Sequence, residues 1–303
     1  MNYTNLFPEL LKQLPIVRKE DVCYHYQRRQ PNNDNKTKLF LPYGKKLLLW
    51  FLTYDRKRYS IAMEYDEHHE CVKKCFFHYL SFKPELCQGC GTLIWCTRMK
   101  DQFCLNKIIY LKGEKYHKPL WTSHMIELKY LLENYIHNMH YGSFCSLGLP
   151  IITNTKSSSC LLLQATSLCY EVYCILSTTN YRTTLREYMA NFRVIPIDIK
   201  RDIYDLECKN DNNGYKIYGR ALVNDFKTSL FLKQLFRDKR RHYKEIEYSD
   251  DEEDKVEVVI QPMILSCVYI PKMKMWKPYK TSRDYLDMNK KIMQIEKKNG
   301  QLS

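Results

Sequence analysis

Apolar and polar residues alternate along the first third of the chain in a pattern that is typical of antiparallel β-strands. The stretch of residues 39–65 contains two β-rich runs joined by a turn-like sequence at residues 54–57, which predicts a β-hairpin. Further β-rich runs predict strands at residues 75–82, 91–97 and 103–111. We therefore expect an antiparallel sheet in this part of the chain.

Helical periodicity is clearest beyond residue 120. Apolar side chains recur there at intervals of three and four residues, which predicts an amphipathic helix of about five turns. These side chains are Trp121, Met125, Leu128, Leu132, Tyr135, Ile136 and Met139. Shorter helices are expected at residues 158–168 and 228–237, and later strands at residues 170–177, 192–197, 215–223 and 256–270. The fold class that follows is α+β, with antiparallel sheets and flanking helices.

Shifts in composition divide the chain into three predicted regions. Residues 1–38 form an entry segment that ends in a polar loop, and residues 39–225 form the main domain. Residues 226–303 form a smaller C-terminal β-rich region with a basic tail. Within it, a basic block runs into an acidic one at residues 237–254. Their low apolar content predicts a mobile loop, whose acidic part lies near residues 245–254.

The charge of the chain points to a class of partner. There are 48 Lys and Arg residues against 34 Asp and Glu, a formal net charge of +14 at pH 7. Such a surface attracts polyanions, so RNA, DNA and acidic protein surfaces are candidate partners, and we favour nucleic acid. A basic balance that serves only solubility is the alternative.

Cysteine usage and hydropathy indicate the compartment. The 13 cysteines are an odd number scattered along the chain, and the N-terminal residues lack the basic start and apolar core of a signal peptide. We therefore expect reduced thiols in the cytosol or the nucleus, and we favour a cytoplasmic location. The apolar stretch at residues 47–52 is short, and a later one is interrupted by Gln164 and Glu171. Since a bilayer span needs about 20 apolar residues, no membrane partner is expected.

Two residue pairs have spacings that metal sites use. Cys87 and Cys90 form a Cys-x-x-Cys pair, but a structural zinc ion needs four converging ligands and no second pair follows at zinc-finger spacing. His137 and His140 would share one face of the predicted helix and likewise need further ligands. We therefore expect unliganded thiols and histidines rather than zinc.

Two clusters combine basic and aromatic residues. Cations neutralise phosphates while aromatic faces stack on bases, so this mixture is typical of proteins that bind single-stranded nucleic acid. Ordinary solvated strand edges are the alternative. The candidate residues are Arg56, Lys57 and Arg58 on the predicted hairpin, and Lys272, Lys274, Trp276, Lys277, Lys280 and Arg283 near the C-terminus.

The order of the predicted segments carries a resemblance to a known family. The hairpin sequence GKKLLLWFLTYDRKRYSIAMEY is followed by GTLIWCTRMKDQFCLNKIIYLKGEKYHKPLWTSHMIELKYLL. This order resembles the core of the covalent nucleotidyltransferases, which are the mRNA capping guanylyltransferases and polynucleotide ligases. The C-terminal SCVYIPKMKMWKPYK, and the stretch GYKIYGRALVNDFKTSLFLKQLFRD with the acidic run after it, are similar to divergent relatives in large DNA viruses. The resemblance covers residues 39–280 and implies a cleft between antiparallel sheets.

The catalytic motifs of that family are not recognisable in this chain. The family's nucleophile is a lysine in a Lys-x-Asp-Gly motif, whose amine attacks the α-phosphate of a nucleotide. The chain contains no Asp-Gly, and Lys45 or Lys46 stands at the matching place. The family's acidic motif should fall at residues 91–96, where there is no carboxylate, and Arg193 and Lys200 stand in the region of its phosphate-gripping lysines.

Three hypotheses follow for the function. The first is a catalytically eroded nucleotidyltransferase-like protein of a virus, which binds RNA or a transcription or capping partner in the host cytoplasm, a viral factory or the virion. The second is an active, divergent mRNA guanylyltransferase that uses Lys45 or Lys46 with GTP and a divalent metal ion. The third is a structural or virion-associated protein that binds nucleic acid. We favour the first, because transfer without the carboxylate and the nucleophile motif lacks electrostatic stabilisation and covalent catalysis.

Overall fold

The computed structural model describes most of the chain, which forms two compact units. The described residues are 6–24, 37–66, 68–100, 102–137, 146–154, 158–178, 182–210, 214–244 and 261–300. Unit 1 comprises Met1–Thr155 and Tyr170–Thr183, and unit 2 comprises Lys156–Cys169 and Thr184–Ser303. Both units combine helices with mainly antiparallel sheets, so the α+β class that the sequence predicted is confirmed.

Unit 1 is built mainly from strands. Its described α-helices are α1 (Leu6–Leu11) and α2 (Trp121–Asn134). Its described strands are β1 (Lys38–Pro42), β2 (Lys45–Tyr54), β3 (Lys57–Asp66), β4 (Cys71–Phe77), β5 (Ser81–Phe82), β6 (Thr92–Met99), β7 (Gln102–Leu111), β8 (Glu114–Lys115), β9 (Ile136–His137), β10 (Ser146–Gly148), β11 (Ile151–Thr153), β12 (Val172–Ser177) and β13 (Arg182–Thr183).

These strands form two main sheets and one small one. The larger sheet has the order β10-β7-β6-β2-β3-β4, with β8 paired to β7, and the four-stranded sheet has the order β11-β1-β12-β13. Strands β5 and β9 pair separately. Every pairing is antiparallel except that of β10 with β7, which is parallel.

The β2–β3 hairpin confirms the prediction from the apolar pattern. Its two turn residues, Asp55 and Arg56, have φ angles of 47° and 60°. This left-handed conformation gives a two-residue turn whose twist matches the flanking strands. The predicted strand pair that follows is also confirmed, as β6 and β7.

The run that the sequence predicted as the first strand of the hairpin forms two strands, β1 and β2, and these lie in different sheets. Strand β1 pairs with β11 and β12, whereas β2 pairs with β3 and β6. The apolar run continues across the break because both strands contribute to one core, which contains Leu39, Leu41, Leu47 and Leu49. The periodicity of the sequence does not change where the chain changes sheet.

Helix α2 is shorter than the sequence predicted. It ends at Asn134, because Ile136 pairs with Phe82 in the small β5–β9 sheet. His137 therefore lies in a strand and is exposed, and His140 lies outside the described residues. The prediction that His137 lies on a helix face is therefore wrong, because His137 belongs to β9.

Unit 2 consists of one sheet and its flanking helices. Its described elements are α3 (Ser158–Ser167), β14 (Met189–Asp198), β15 (Ile203–Lys209), β16 (Tyr215–Arg220), α4 (Phe226–Lys244), β17 (Met263–Ile270), β18 (Met275–Thr281) and α5 (Asn289–Gly300). The five-stranded sheet has the order β16-β15-β14-β17-β18, and each neighbouring pair is antiparallel.

The compact units divide the chain differently from the predicted domains at 1–38, 39–225 and 226–303. Strand β14 pairs with β17, so residues before and after 225 share one sheet. The N-terminal segment belongs to unit 1, since Leu10 and Val22 lie in its core. The basic block that the sequence assigned to a loop continues α4 as far as Lys244, and residues 245–254 lie outside the described part.

None of the helices in the described part of the chain combines the length and the apolar character that crossing a bilayer requires. Helix α4, with 19 residues, is rich in lysine and arginine.

A buried histidine links the packing of α2 to pH. His124 is fully buried, its Nδ1 accepts a hydrogen bond from the Ile108 amide at 3.1 Å, and its Nε2 lies 2.8 Å from the Lys118 carbonyl oxygen. Since Nδ1 is the acceptor, Nε2 carries the proton and donates to that carbonyl. Burial, aided by the Lys107 ammonium, lowers the pKa of His124 to about 4.

We expect His124 to make folding stability depend on pH. Its pKa is about 6.5 in the unfolded chain, so the unfolded state binds the proton first as the pH falls. The contribution of His124 to the free energy of unfolding is complete above pH 6.5. It declines by about 1.4 kcal/mol per pH unit towards pH 4. The free energy of unfolding, measured with urea at pH 7.5, 6.0 and 4.5, should show this decline. In His124→Gln, the pH dependence of this free energy should correspond to the uptake of about one proton fewer on unfolding.

The exposed His117 provides the matched control for this experiment. His117→Gln should keep the pH slope of the wild-type protein. An unchanged slope in His124→Gln would show that the buried imidazole is not responsible for the decline.

Candidate functional site

A pocket of about 130 Å³ lies within unit 1, where its two main sheets meet. Strands β1 and β12 contribute from the four-stranded sheet, and β2, β6 and β7 contribute from the larger sheet. The lining residues are Leu41, Pro42, Tyr43, Gly44, Lys46, Trp95, Thr97, Asn106 and Tyr173. The pocket therefore combines apolar and aromatic walls with three polar side chains, as small-ligand sites do.

The junction between β1 and β2 forms one edge of this pocket. At Gly44 a Cβ atom would lie 2.3 Å from the Arg98 carbonyl oxygen and 2.8 Å from Cγ2 of Thr97. On the other side, the Tyr43 amide donates a 2.7 Å hydrogen bond to the carbonyl of Glu171. Glycine is required here because the backbone of the junction lies directly against β6.

The two candidate lysines at the start of β2 have different surroundings. Lys46 lines the pocket, and its Nζ lies 5.6 Å from the ring centroid of Trp95 and 5.7 Å from that of Tyr173. The preceding Lys45 is exposed, and its Nζ lies 3.4 Å from Oε1 of Glu64. Successive side chains of a strand point to opposite faces, so only one of the two can face the pocket. Of the two, Lys46 is the one that lines the pocket.

A buried amide with an unused acceptor lies in the pocket wall. Asn106 is 1% exposed, and its Nδ2 donates a 2.8 Å hydrogen bond to Oγ1 of Thr97. Its backbone carbonyl accepts a hydrogen bond from the hydroxyl of Tyr24. Its side-chain Oδ1 has no hydrogen-bond partner among the described residues. A buried acceptor without a partner costs about 1–3 kcal/mol.

A second cation lies on the aromatic wall. The Cζ atom of Arg182 is 4.9 Å from the ring centroid of Tyr173, and its Nη2 donates a 2.6 Å hydrogen bond to the Tyr173 hydroxyl. The next residue in β12, Cys174, is buried, and burial raises the pKa of its thiol to about 11, against the opposing effect of Arg182 and Lys46. The thiol is therefore neutral at pH 7, and the polar chemistry of this wall comes from the two cations.

The pocket residues do not fit a divalent metal ion. The described lining residues include no carboxylate, and Mg²⁺ is bound in proteins through carboxylates and phosphates. Within the predicted position of the acidic motif, Trp95 is the residue that lines the pocket. Across the described chain, no group of three or more His, Cys, Asp or Glu side chains is placed to hold a metal ion.

The Cys-x-x-Cys pair has a packing role in the described structure. Cys87 is buried at the end of a 3₁₀ helix, Pro84–Cys87, and the thiol of Cys90 donates to the carbonyl of Gly113 at 3.4 Å. Between them Gly89 has a φ of 58°, and a Cβ there would lie 2.9 Å from the Cα of Gly113. This loop is shaped by close backbone contact.

The candidate nucleic-acid residues on the hairpin are all at the surface. Arg56 belongs to the β2–β3 turn, and Lys57 and Arg58 are exposed at the start of β3. In unit 2, Lys272, Lys274 and Arg283 are exposed and Lys280 is half-buried.

Trp276 and Lys277 are not surface residues, which corrects the expectation from the sequence. Trp276 is 2% exposed, and its ring centroid lies 5.0 Å from that of Phe192 in the core of unit 2. Lys277 is 1% exposed, donates to Oγ1 of Thr166 at 3.0 Å and pairs with the carboxylate of Asp225. Both faces of β18 are covered at this point, so neither side chain can contact a nucleic acid in the folded protein.

Arg193 and Lys200, which the resemblance assigned to phosphate binding, belong to unit 2. The Arg193 guanidinium lies 3.3 Å from Oε2 of Glu207 and stacks on Tyr215, with its Cζ 4.8 Å from the ring centroid. Lys200 is exposed in the turn after β14.

No protein-family model matches the chain, and no curated protein matches its sequence significantly.

We expect Gly44→Ala to destabilise unit 1 and to distort the pocket. The added Cβ would overlap the Arg98 carbonyl oxygen, and an overpacked position of this kind costs about 1–3 kcal/mol. Gly148→Ala is the matched control, because nothing lies within 4 Å of the Cβ position there. That control should leave stability unchanged or raise it by up to about 1 kcal/mol.

Urea unfolding midpoints of the two variants test this expectation. Equal midpoints would show that the junction tolerates a side chain and that glycine is not what allows the close approach.

Proposed function

We propose that the protein binds nucleotides of single-stranded RNA in this pocket without transferring them. It would act as a nucleotidyltransferase-like component of a viral transcription or mRNA-capping apparatus. The observation that carries the proposal is the convergence of an ammonium group, two aromatic faces and an unused amide oxygen on one cavity. Each is a group that nucleotide recognition uses.

The size of the cavity suits one aromatic ring. An apolar cavity of about 150 Å³ in another protein holds benzene, so 130 Å³ accommodates the ring of a base but not a whole nucleotide. Trp95 and Tyr173 line the pocket beside Lys46, and stacking of a base on an aromatic ring is worth about 1–3 kcal/mol per base.

The cations suit the phosphate that follows the base. Lys46 lines the cavity, whereas Arg182 contacts Tyr173, which is 38% exposed. With the base inside the cavity, the phosphate would lie at the exposed edge of the pocket, near Tyr173 and Arg182. Contacts to ionised groups contribute about 1.5–3 kcal/mol each.

The side chains that line the pocket favour binding without transfer over the second hypothesis, that of an active guanylyltransferase. In that reaction a bond forms between lysine Nζ and the α-phosphorus, the bond to the bridging oxygen breaks, and pyrophosphate leaves. The charge that develops on the phosphates needs a metal ion held by carboxylates. The described pocket lining contributes none, so its residues favour binding at Lys46 without transfer.

The pocket also favours specific binding over a purely structural role. A protein that only neutralises packaged nucleic acid needs exposed cations, whereas a buried amide with an unused acceptor contributes nothing to that task.

The adjacent lysines provide a matched pair of variants. Lys46→Ala should weaken binding of labelled GMP or UMP about tenfold in equilibrium dialysis, because it removes one charged contact. Lys45→Ala removes the same charge one residue away, outside the pocket, and should change the affinity by less than about twofold. Equal losses in both variants would contradict a role for the pocket.

Covalent labelling separates binding from transfer. Incubation with α-labelled GTP and a divalent metal ion should leave the wild-type protein unlabelled. An acid-labile, base-stable label that is lost in Lys46→Ala would establish the guanylyltransferase instead.

A further inference from the structure

Tyr24, near the N-terminus, packs on a wall of the pocket. Its side chain is 6% exposed, and its ring centroid lies 6.2 Å from that of Trp95 in an edge-to-face arrangement. Its hydroxyl donates a hydrogen bond to the backbone carbonyl of Asn106. Trp95 and Asn106 both line the pocket, and Tyr24 is not among the described lining residues. Tyr24 therefore contacts two lining residues without lining the pocket itself.

The carbonyl that Tyr24 binds belongs to a β-bulge in the strand pair β6–β7. The pairs on either side are Trp95 with Lys107 and Cys96 with Leu105. Asn106 is thus an extra residue in β7, and a bulge of this kind leaves its extra residue unpaired and re-aims side chains. The Asn106 side chain accordingly reaches Thr97 and the pocket. The Tyr24 hydroxyl supplies a hydrogen-bond partner at the point where the pairing of the strands is interrupted.

One cation fixes Tyr24 in this place. Lys107 Nζ donates hydrogen bonds to the backbone carbonyls of Cys23 and Glu20, at 2.7 Å and 3.2 Å. The same ammonium group lies 5.7 Å from the ring centroid of Tyr24. Hydrogen bonds from a charged donor are stronger than those between neutral groups. Lys107 therefore holds both the backbone before Tyr24 and the Tyr24 ring.

A second tyrosine joins the same N-terminal segment to the larger sheet. Tyr65 in β3 is 8% exposed, and its hydroxyl donates a 3.0 Å hydrogen bond to the carbonyl of Val17. Like Tyr24, it is a buried phenol that donates to a backbone carbonyl. It is not among the described residues that line the pocket. Tyr65 therefore provides a comparison in which the same chemical group acts away from the lining residues.

We propose that Tyr24 is a positioning residue of the nucleotide pocket. Its hydroxyl holds the bulge at Asn106 and its ring holds Trp95, so both lining side chains keep the arrangement in which a base binds. The proposal rests on the proposed function, in which this pocket binds a nucleotide. It gives the N-terminal segment, which the sequence pattern assigned to chain entry, a part in the site. A hydroxyl that contributes to stability alone is the alternative.

Removal of the hydroxyl tests the proposal. Tyr24→Phe keeps the ring beside Trp95 but removes the donor to the Asn106 carbonyl. The binding arrangement is then less populated in the free protein, so the affinity for labelled UMP should fall about fivefold for the loss of one hydrogen bond. Equilibrium dialysis measures this affinity. Amide hydrogen exchange of peptides that contain Asn106 reports on the bulge without any ligand, and it should be faster in the variant.

Tyr65→Phe is the matched control, because it removes the same hydroxyl from a bond to the same N-terminal segment. It should lower the urea unfolding midpoint about as much as Tyr24→Phe does. Its UMP affinity should stay within about twofold of wild type, and its exchange at the bulge should be unchanged.

Lys107→Met is a second variant that decides the question even if Tyr24→Phe does not fold. It removes the ammonium group that holds Tyr24 and keeps the Tyr24 hydroxyl. Affinity for UMP and exchange at the bulge should change in the same direction as in Tyr24→Phe. Wild-type values of both in a folded Lys107→Met protein would count against the proposal.

The outcomes separate this proposal from the proposed function. If wild-type protein binds no mononucleotide but exchange at the bulge is faster in Tyr24→Phe, the hold of Tyr24 on the pocket wall is supported and the proposed function is overturned. Wild-type exchange and wild-type UMP affinity in Tyr24→Phe overturn the positioning role while the pocket keeps its ligand. Equal losses of affinity in Tyr24→Phe and Tyr65→Phe also overturn it, because the hydroxyl would then act through stability alone.

Discussion

The chain crosses from one sheet of unit 1 to the other in two residues, Tyr43 and Gly44, and the pocket depends on this short passage. Strand β1 ends at Pro42 and β2 begins at Lys45, so the edges of both sheets must meet there. Gly44 permits the meeting because its Cα lies against the Arg98 carbonyl with no room for a side chain. The second residue of β2, Lys46, is thereby held over the aromatic wall.

Much of the local fold could be predicted from the sequence, because local periodicity determines it. The hairpin turn at Asp55 and Arg56, the pair β6–β7 and helix α3 all follow from patterns within a few residues. The division into units could not be predicted, since it depends on β14 pairing with β17 across about seventy residues. The same holds for the end of α2, which a partner strand near residue 82 determines.

The candidate site, too, could be predicted only in part from local sequence patterns. The Gly-Lys-Lys sequence indicated Lys46 as one of two candidates, but Asn106, Tyr173 and Arg182 carry no sequence signal and meet it only through sheet pairing. The sequence also led to a wrong prediction for Trp276 and Lys277. Their basic and aromatic pattern is typical of a surface, but both side chains are buried. Lys277 is buried because Thr166 in α3 and Asp225 cover it, contacts that sequence spacing cannot reveal.

We propose that the pocket of unit 1 holds an unpaired RNA base without a covalent bond. Photo-crosslinking of an RNA that contains 4-thiouridine, followed by mass spectrometry of the digested protein, tests it most directly. We expect crosslinks on the peptides that contain Trp95 or Tyr173, and excess unlabelled nucleotide should remove them. Crosslinks confined to unit 2, or crosslinks in unit 1 that free nucleotide does not displace, would contradict it.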